Sequence, residues 1–154
     1  QALLKNIQIL IKAAKILEIP IILCQQVPKA LGPTVVEVSE LLEGVEPVNK
    51  YTFSCYKDEV FRGKIGELNK KQVILCGIES HICIYQTAVE LIRDNKEVII
   101  ASDGVSSRTL GNKTTAMNRM QDEGAKIGSV EMILFELLGD AKHPAFREIS
   151  KLIK

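Results

Sequence analysis

Three short apolar runs, each joined to a helical pattern, constrain this chain more than any other feature. Ile21-Ile22-Leu23-Cys24, Gln72-Val73-Ile74-Leu75-Cys76 and Glu97-Val98-Ile99-Ile100-Ala101 show no apolar–polar alternation within their apolar stretches. A strand wetted on one face alternates; a continuous run marks a strand covered on both. Around them lie amphipathic stretches. Over residues 2–18, Leu3, Ile7, Leu10, Ala14 and Leu17 form one helical stripe, and Pro20 then blocks its continuation. Beyond Gly77 a helix is expected to run through about Asp94, and another over about 112–123 with Gly124 as its stop. The second run should end at Gly77 and the third at Ser102-Asp103-Gly104. Ala125-Lys126-Ile127-Gly128 predicts a last short strand, followed by helices over 130–138 and 144–152. Pro47-Val48-Asn49-Lys50 predicts a further strand end, and residues 57–69 a short helix and loop. Strands alternating with helices give a parallel sheet with helices on both faces, so the expected fold is α/β, a three-layer α/β/α domain with a mainly parallel sheet.

The chain has 154 residues, no internal repeat and no linker-like stretch, which predicts one domain over 1–154. It opens on Gln1 and a helix, whereas a right-handed crossover unit pairs such a helix with a strand before it. A central N-terminal strand ahead of Ala2 is therefore expected to be absent from this sequence. With 20 basic and 19 acidic residues, nothing advertises a nucleic-acid groove or a basic membrane-binding face. No apolar run approaches the roughly 18 residues of a membrane span. Cys24, Cys55, Cys76 and Cys83 lack zinc-type spacing and have only two histidines to assist them, so free thiols in a reducing, cytoplasmic setting are expected, with no metal and no cofactor.

In an open parallel sheet, ligands collect beyond the carboxyl ends of the strands. That rule selects Cys24-Gln25-Gln26, Asn49-Lys50-Tyr51, the segment from Gly77 to Cys83, and the segment from Ser102 to Arg108. Cys83 falls in the first turn of a helix, where unpaired N–H groups and the helix dipole stabilise a thiolate and an oxyanion alike. Position alone suits a buried, packed thiol equally well. Lys50 at a strand end could support a thiolate and developing negative charge; Tyr51 and Phe53 could wall the site, with Gln25 and Gln26 as further lining. His81 lies two residues from Cys83 and so points elsewhere on a helix; it reads as a solvent-facing or capping residue. His143 precedes Pro144 and marks a helix start. Cys76 reads as buried and inert, Cys24 as bordering the cleft, and Cys55 as a loop thiol without an activating group. Asp103 reads as a structural cap, with Arg108 as a partner for it.

Gly77-Ile78-Glu79-Ser80-His81-Ile82-Cys83, with Thr87 and Ala88 beyond it, resembles the nucleophile motif of the isochorismatase-like cysteine hydrolases. The isochorismatase domain-containing branch is the nearer match. Its pattern resembles Pro28-Lys29-Ala30-Leu31-Gly32-Pro33-Thr34, Lys50-Tyr51-Thr52-Phe53-Ser54, Asp103-Gly104-Val105-Ser106-Ser107-Arg108 and Gly139-Asp140-Ala141-Lys142-His143-Pro144. The resemblance implies Cys83 as nucleophile, Lys50 as catalytic lysine, a cis peptide at Ile78–Glu79, and an oxyanion hole from the backbone N–H groups of Glu79 and Cys83. It implies a third catalytic residue, an Asp ending the first central strand, which has no counterpart here. No histidine precedes His81, so the metal-binding cluster of nicotinamidases has no counterpart either. The expected function is a cysteine hydrolase acting on a small amide, ester or related acyl substrate, as a homo-oligomer without nucleic-acid or membrane partners. The competing expectation is an inactive scaffold that binds a metabolite or protein through the same cleft.

Overall fold

The computed structural model describes residues 2–154. Helix α1 (Ala2–Ile16) leads to strand β1 (Cys24–Gln26), the short helices α2 (Pro28–Leu31) and α3 (Val36–Ser39), and strand β2 (Val48–Lys50). Helix α4 (Glu59–Leu68), strand β3 (Gln72–Ile78), helix α5 (Tyr85–Arg93) and strand β4 (Glu97–Ser106) follow. Helix α6 (Leu110–Asp122), strand β5 (Lys126–Gly128) and helices α7 (Val130–Leu138) and α8 (Phe146–Ile153) complete the chain.

All strand pairs are parallel, and the expected α/β architecture with helices on both faces is present. β4 shows how the layers are built. Its residues alternate in direction, so Val98 and Ile100 enter a core with Phe61 and Ile65 of α4, Ala88 and Leu91 of α5, and Ala116 and Met120 of α6. Ile99 and Ala101 face the other way, onto Leu10 and Ala13 of α1, Ile133 and Leu134 of α7, and Ile149 of α8. The stripe on α1 is broader than the sequence pattern suggests: Ile7 and Ile11 turn to a third cluster with Val38 and Leu42.

The sheet comes in two pieces, β1-β2 and β3-β4-β5, and β1 is not paired with β3 among the described residues. Consistent with that, Val98, Ile100 and Ala101 of β4 are fully buried, whereas Ile21, Ile22, Leu23 and the residues Val73, Ile74, Leu75 and Cys76 of β3 are only half-buried. The run Ile21-Ile22-Leu23-Cys24 is correspondingly not a strand throughout. Ladder pairing begins at Cys24, and only Leu23 O, accepting from Val48 N at 2.8 Å, is tied in earlier. Other boundaries shift as well. β4 continues to Ser106 past a bulge opposite Leu75 and Gly77, α6 starts at Leu110, and α8 starts at Phe146.

Candidate active site

Parallel pairing sets Gln26 beside Lys50 at the ends of β1 and β2, so their side chains share a face. The Lys50 ammonium, whose residue is 3% exposed, donates to Gln26 Oε1, to Thr52 O at 2.9 Å and to Phe53 O at 2.9 Å. Cys83 Sγ lies 3.7 Å from the same Nζ and 4.0 Å from Gln26 Oε1. Among the described residues no carboxylate touches this ammonium. Gln26 Oε1 and Cys83 Sγ are the side-chain atoms that face this amine.

Cys83 arrives on a turn wider than the expected first α-turn. Ser80–Ile84 is a π-turn, closed by Ile84 N donating to Glu79 O at 3.3 Å. It follows Gly77, whose φ of +112° suits a residue without Cβ, and a cis Ile78–Glu79 peptide bond. Ser80 is wholly buried and its hydroxyl is unpaired.

α5 continues directly from this turn and also fixes the lysine's carbonyl partners. Thr87 Oγ1 accepts from Cys55 N at 2.9 Å, the buried Ser54 hydroxyl donates to Glu90 Oε2, and Thr52 Oγ1 donates to Ser54 O at 2.7 Å. The turn 52–55 is thereby strapped to the helix that begins beside the sulfur. Thr87 and Ser54 entered the sequence reading only as members of the family pattern and Glu90 not at all, since their role depends on contacts 32 to 36 residues apart.

Several expectations need correction. Tyr51 and Phe53 are 78% and 57% exposed and do not wall the site; their backbone carbonyls serve it instead, Tyr51 O accepting from Gln26 Nε2 at 2.8 Å. Gln25 is engaged elsewhere, accepting from Thr34 N at 2.7 Å and donating to Asn49 Oδ1 at 3.2 Å. Arg108 does not pair with Asp103. It clasps Glu79 through Nη2 at 2.7 Å and Nε at 3.1 Å, while its own N–H donates to Glu79 Oε1 at 2.9 Å. This guanidinium holds the Glu79 carboxyl down to about 2. Asp103 is structural, its Oδ1 accepting from Val130 N at 2.8 Å at the start of α7. His81 is neither solvent-facing nor a cap. Its Nε2 lies 3.4 Å from Asn112 Nδ2 and its Nδ1 2.9 Å from Ser107 Oγ, joining the π-turn to α6. His143 accepts from Ala145 N at 3.1 Å just ahead of α8.

The remaining thiols divide sharply. Burial pushes Cys76 up to about 11. Cys55 is not without an activating group: the Cys24 thiol donates to it, Thr87 and Lys50 add to the effect, and together they outweigh burial and hold it down to about 7. Cys24 is raised by the same contact and by burial.

A family model described as the isochorismatase domain matches residues 1–132. Isochorismatase domain-containing protein 2 of Danio rerio is 42% identical over 144 residues, covering 94% of this chain and 72% of its own length. The chain belongs to the isochorismatase family. Another isochorismatase relative, described as the secreted isochorismatase effector Isc1 of Phytophthora sojae, is 41% identical over 149 residues, with 94% of this chain and 71% of the relative covered. Family membership therefore does not by itself fix a compartment; among the described residues no helix is long and apolar enough to cross a membrane. Among solved isochorismatase-like structures, one described as MAR1 ribonuclease from Caenorhabditis elegans superposes with a TM-score of 0.93 at 35% identity, covering 99% of this chain and 78% of that one.

Proposed function

We propose that this isochorismatase-family chain is a cysteine hydrolase of small amides, esters or related acyl compounds, with Cys83 as nucleophile and Lys50 as its charge partner. The observation that carries this reading is the buried Lys50 ammonium, 3.7 Å from Cys83 Sγ and without a carboxylate of its own among the described residues. The Cys83 proton passes to a base, which the family resemblance identifies as an Asp ending the first central strand and without a counterpart in this sequence, and the thiolate attacks the acyl carbon. The C–S bond forms as the carbonyl electrons move onto oxygen, where the N–H groups of Glu79 and Cys83 receive them. Collapse expels the amine or alcohol with a proton, and water then cleaves the thioester to release the acid and restore the thiol. Lys50 offsets negative charge throughout. A cytoplasmic setting and a homo-oligomeric state belong to the same proposal, the latter supported by Met132 and Phe135 of α7, which are 54% and 42% exposed.

The test is a panel of amides and esters with intact-mass detection of an acyl adduct. Turnover with a thioester-linked adduct is expected from the native chain and neither from Cys83→Ala. Full turnover by the variant would end the proposal, and binding without turnover by the native chain would favour the scaffold.

A second reading is RNA cleavage, favoured by the description of the Caenorhabditis elegans structure. A net charge of +1 and an Arg108 already occupied by Glu79 supply little grip on a polyphosphate backbone. RNA cleavage lost in Cys83→Ala and weakened steeply by salt would establish it instead.

A further inference from the structure

The segment from Ser107 to Asn112, between β4 and the first turn of α6, grips the turn bearing Cys83 through side chains the mechanism leaves unused. Ser107 Oγ lies 2.9 Å from His81 Nδ1, and Asn112 Nδ2 lies 3.4 Å from His81 Nε2. Arg108 takes the Glu79 carboxylate more fully. Its Nη2 donates to Oε2 at 2.7 Å, its Nε donates to Oε1 at 3.1 Å, and its main-chain N–H donates to Oε1 at 2.9 Å. Glu79 also closes the π-turn, its carbonyl accepting from Ile82 N at 3.2 Å and from Ile84 N at 3.3 Å. One residue thus has its carbonyl tied forward to the turn and its carboxylate tied sideways to the loop beyond β4. We propose that Arg108 is a positioning residue for acyl transfer, clasping the Glu79 side chain so that the Glu79 N–H is aimed at the oxyanion. This inference rests on the hydrolase reading and on the oxyanion donors assigned there.

Magnitudes favour aim over stability. The Arg108 side chain is largely exposed, and an exposed ion pair contributes little to folding. A guanidinium fork on both carboxylate oxygens, reinforced by a main-chain donor of the same residue, instead restricts direction. Direction matters because a misplacement of about 1 Å at a reacting group can cost about 10² in rate. Lys50 is held by other partners, Gln26, Thr52 and Phe53, none of which touches Arg108 among the described residues. Losing the clasp therefore misaims the oxyanion donor and leaves the ammonium beside the sulfur.

Two reactions at Cys83 separate these effects in the full chain. With p-nitrophenyl acetate the thiolate adds to the ester carbonyl and the electrons pass to oxygen. Their return expels p-nitrophenolate and leaves an acetyl thioester. With iodoacetamide the thiolate displaces iodide from a saturated carbon, and no oxyanion forms. Arg108→Gln should slow the burst of p-nitrophenolate by about tenfold to a hundredfold and leave the iodoacetamide rate unchanged. Glu79→Ala should behave alike, and the double variant should lose no more than either alone, because all three lack the same clasp. Acylation of Arg108→Gln at the native rate would overturn the inference. So would a slowing of both reactions together, which marks a displaced turn, or losses that multiply in the double variant. A native chain that is alkylated but never acetylated would overturn the hydrolase reading itself, and this inference with it.

Discussion

The Lys50 amine has three oxygen partners, none of them a carboxylate, and its fourth neighbour is the Cys83 sulfur at 3.7 Å. Lys50→Met should therefore slow adduct formation at Cys83 by roughly 10²–10³, the range found when a preorganised stabilising group is removed. Site-resolved alkylation and acyl-adduct kinetics measure it. Glu79 makes a separate, pH-dependent statement. Its pKa is depressed by Arg108, so the contribution to stability is present above the ordinary carboxylate value and is lost as pH falls toward about 2. Carboxyl chemical shifts followed from pH 5 to 2 should show Glu79 titrating below the ordinary carboxylate range, and Arg108→Gln should return it to that range. The sequence exposed Cys83 and Lys50 because strand ends are where such groups become useful. It could not reveal that Gln26 lies opposite Lys50, or that Arg108 reaches Glu79 across 29 residues, because strand register and long-range pairing leave no local pattern.

At the scale of elements, α5 joins the two halves of the chemistry. It begins at the turn bearing Cys83, and through Thr87 and Glu90 it holds the segment whose carbonyls orient Lys50. Thr87→Val keeps the shape but leaves Cys55 N–H buried without a partner, at a cost of about 1–3 kcal/mol. A lower denaturant midpoint is expected, together with slower labelling of Cys83. Apolar runs predicted β3 and β4 well because Val73–Cys76 and Val98–Ala101 need cover on both sides. The same reasoning placed the first strand too early. Hydrophobicity reports which residues seek burial, and pairing depends on what lies alongside; Ile21 and Ile22 have the first property without the second.

For the molecule as a whole, β4 is the organising strand. It alone among the described strands is bonded on both sides, and its two faces feed the two large cores. Hydrogen exchange should be slowest at its residues 99–101 and markedly faster in β1, which pairs only with β2. Equal protection of both strands would contradict this description. The three-layer architecture was legible from the alternation of runs and helices, whereas the division of the sheet into two pieces was visible only as an expectation about its centre. The strap from α5 to the 52–55 turn has a consequence for reactivity. The helix that begins beside the sulfur also holds the carbonyls around the ammonium, so a disturbance within α5 should reach Cys83 and Lys50 together rather than one of them alone.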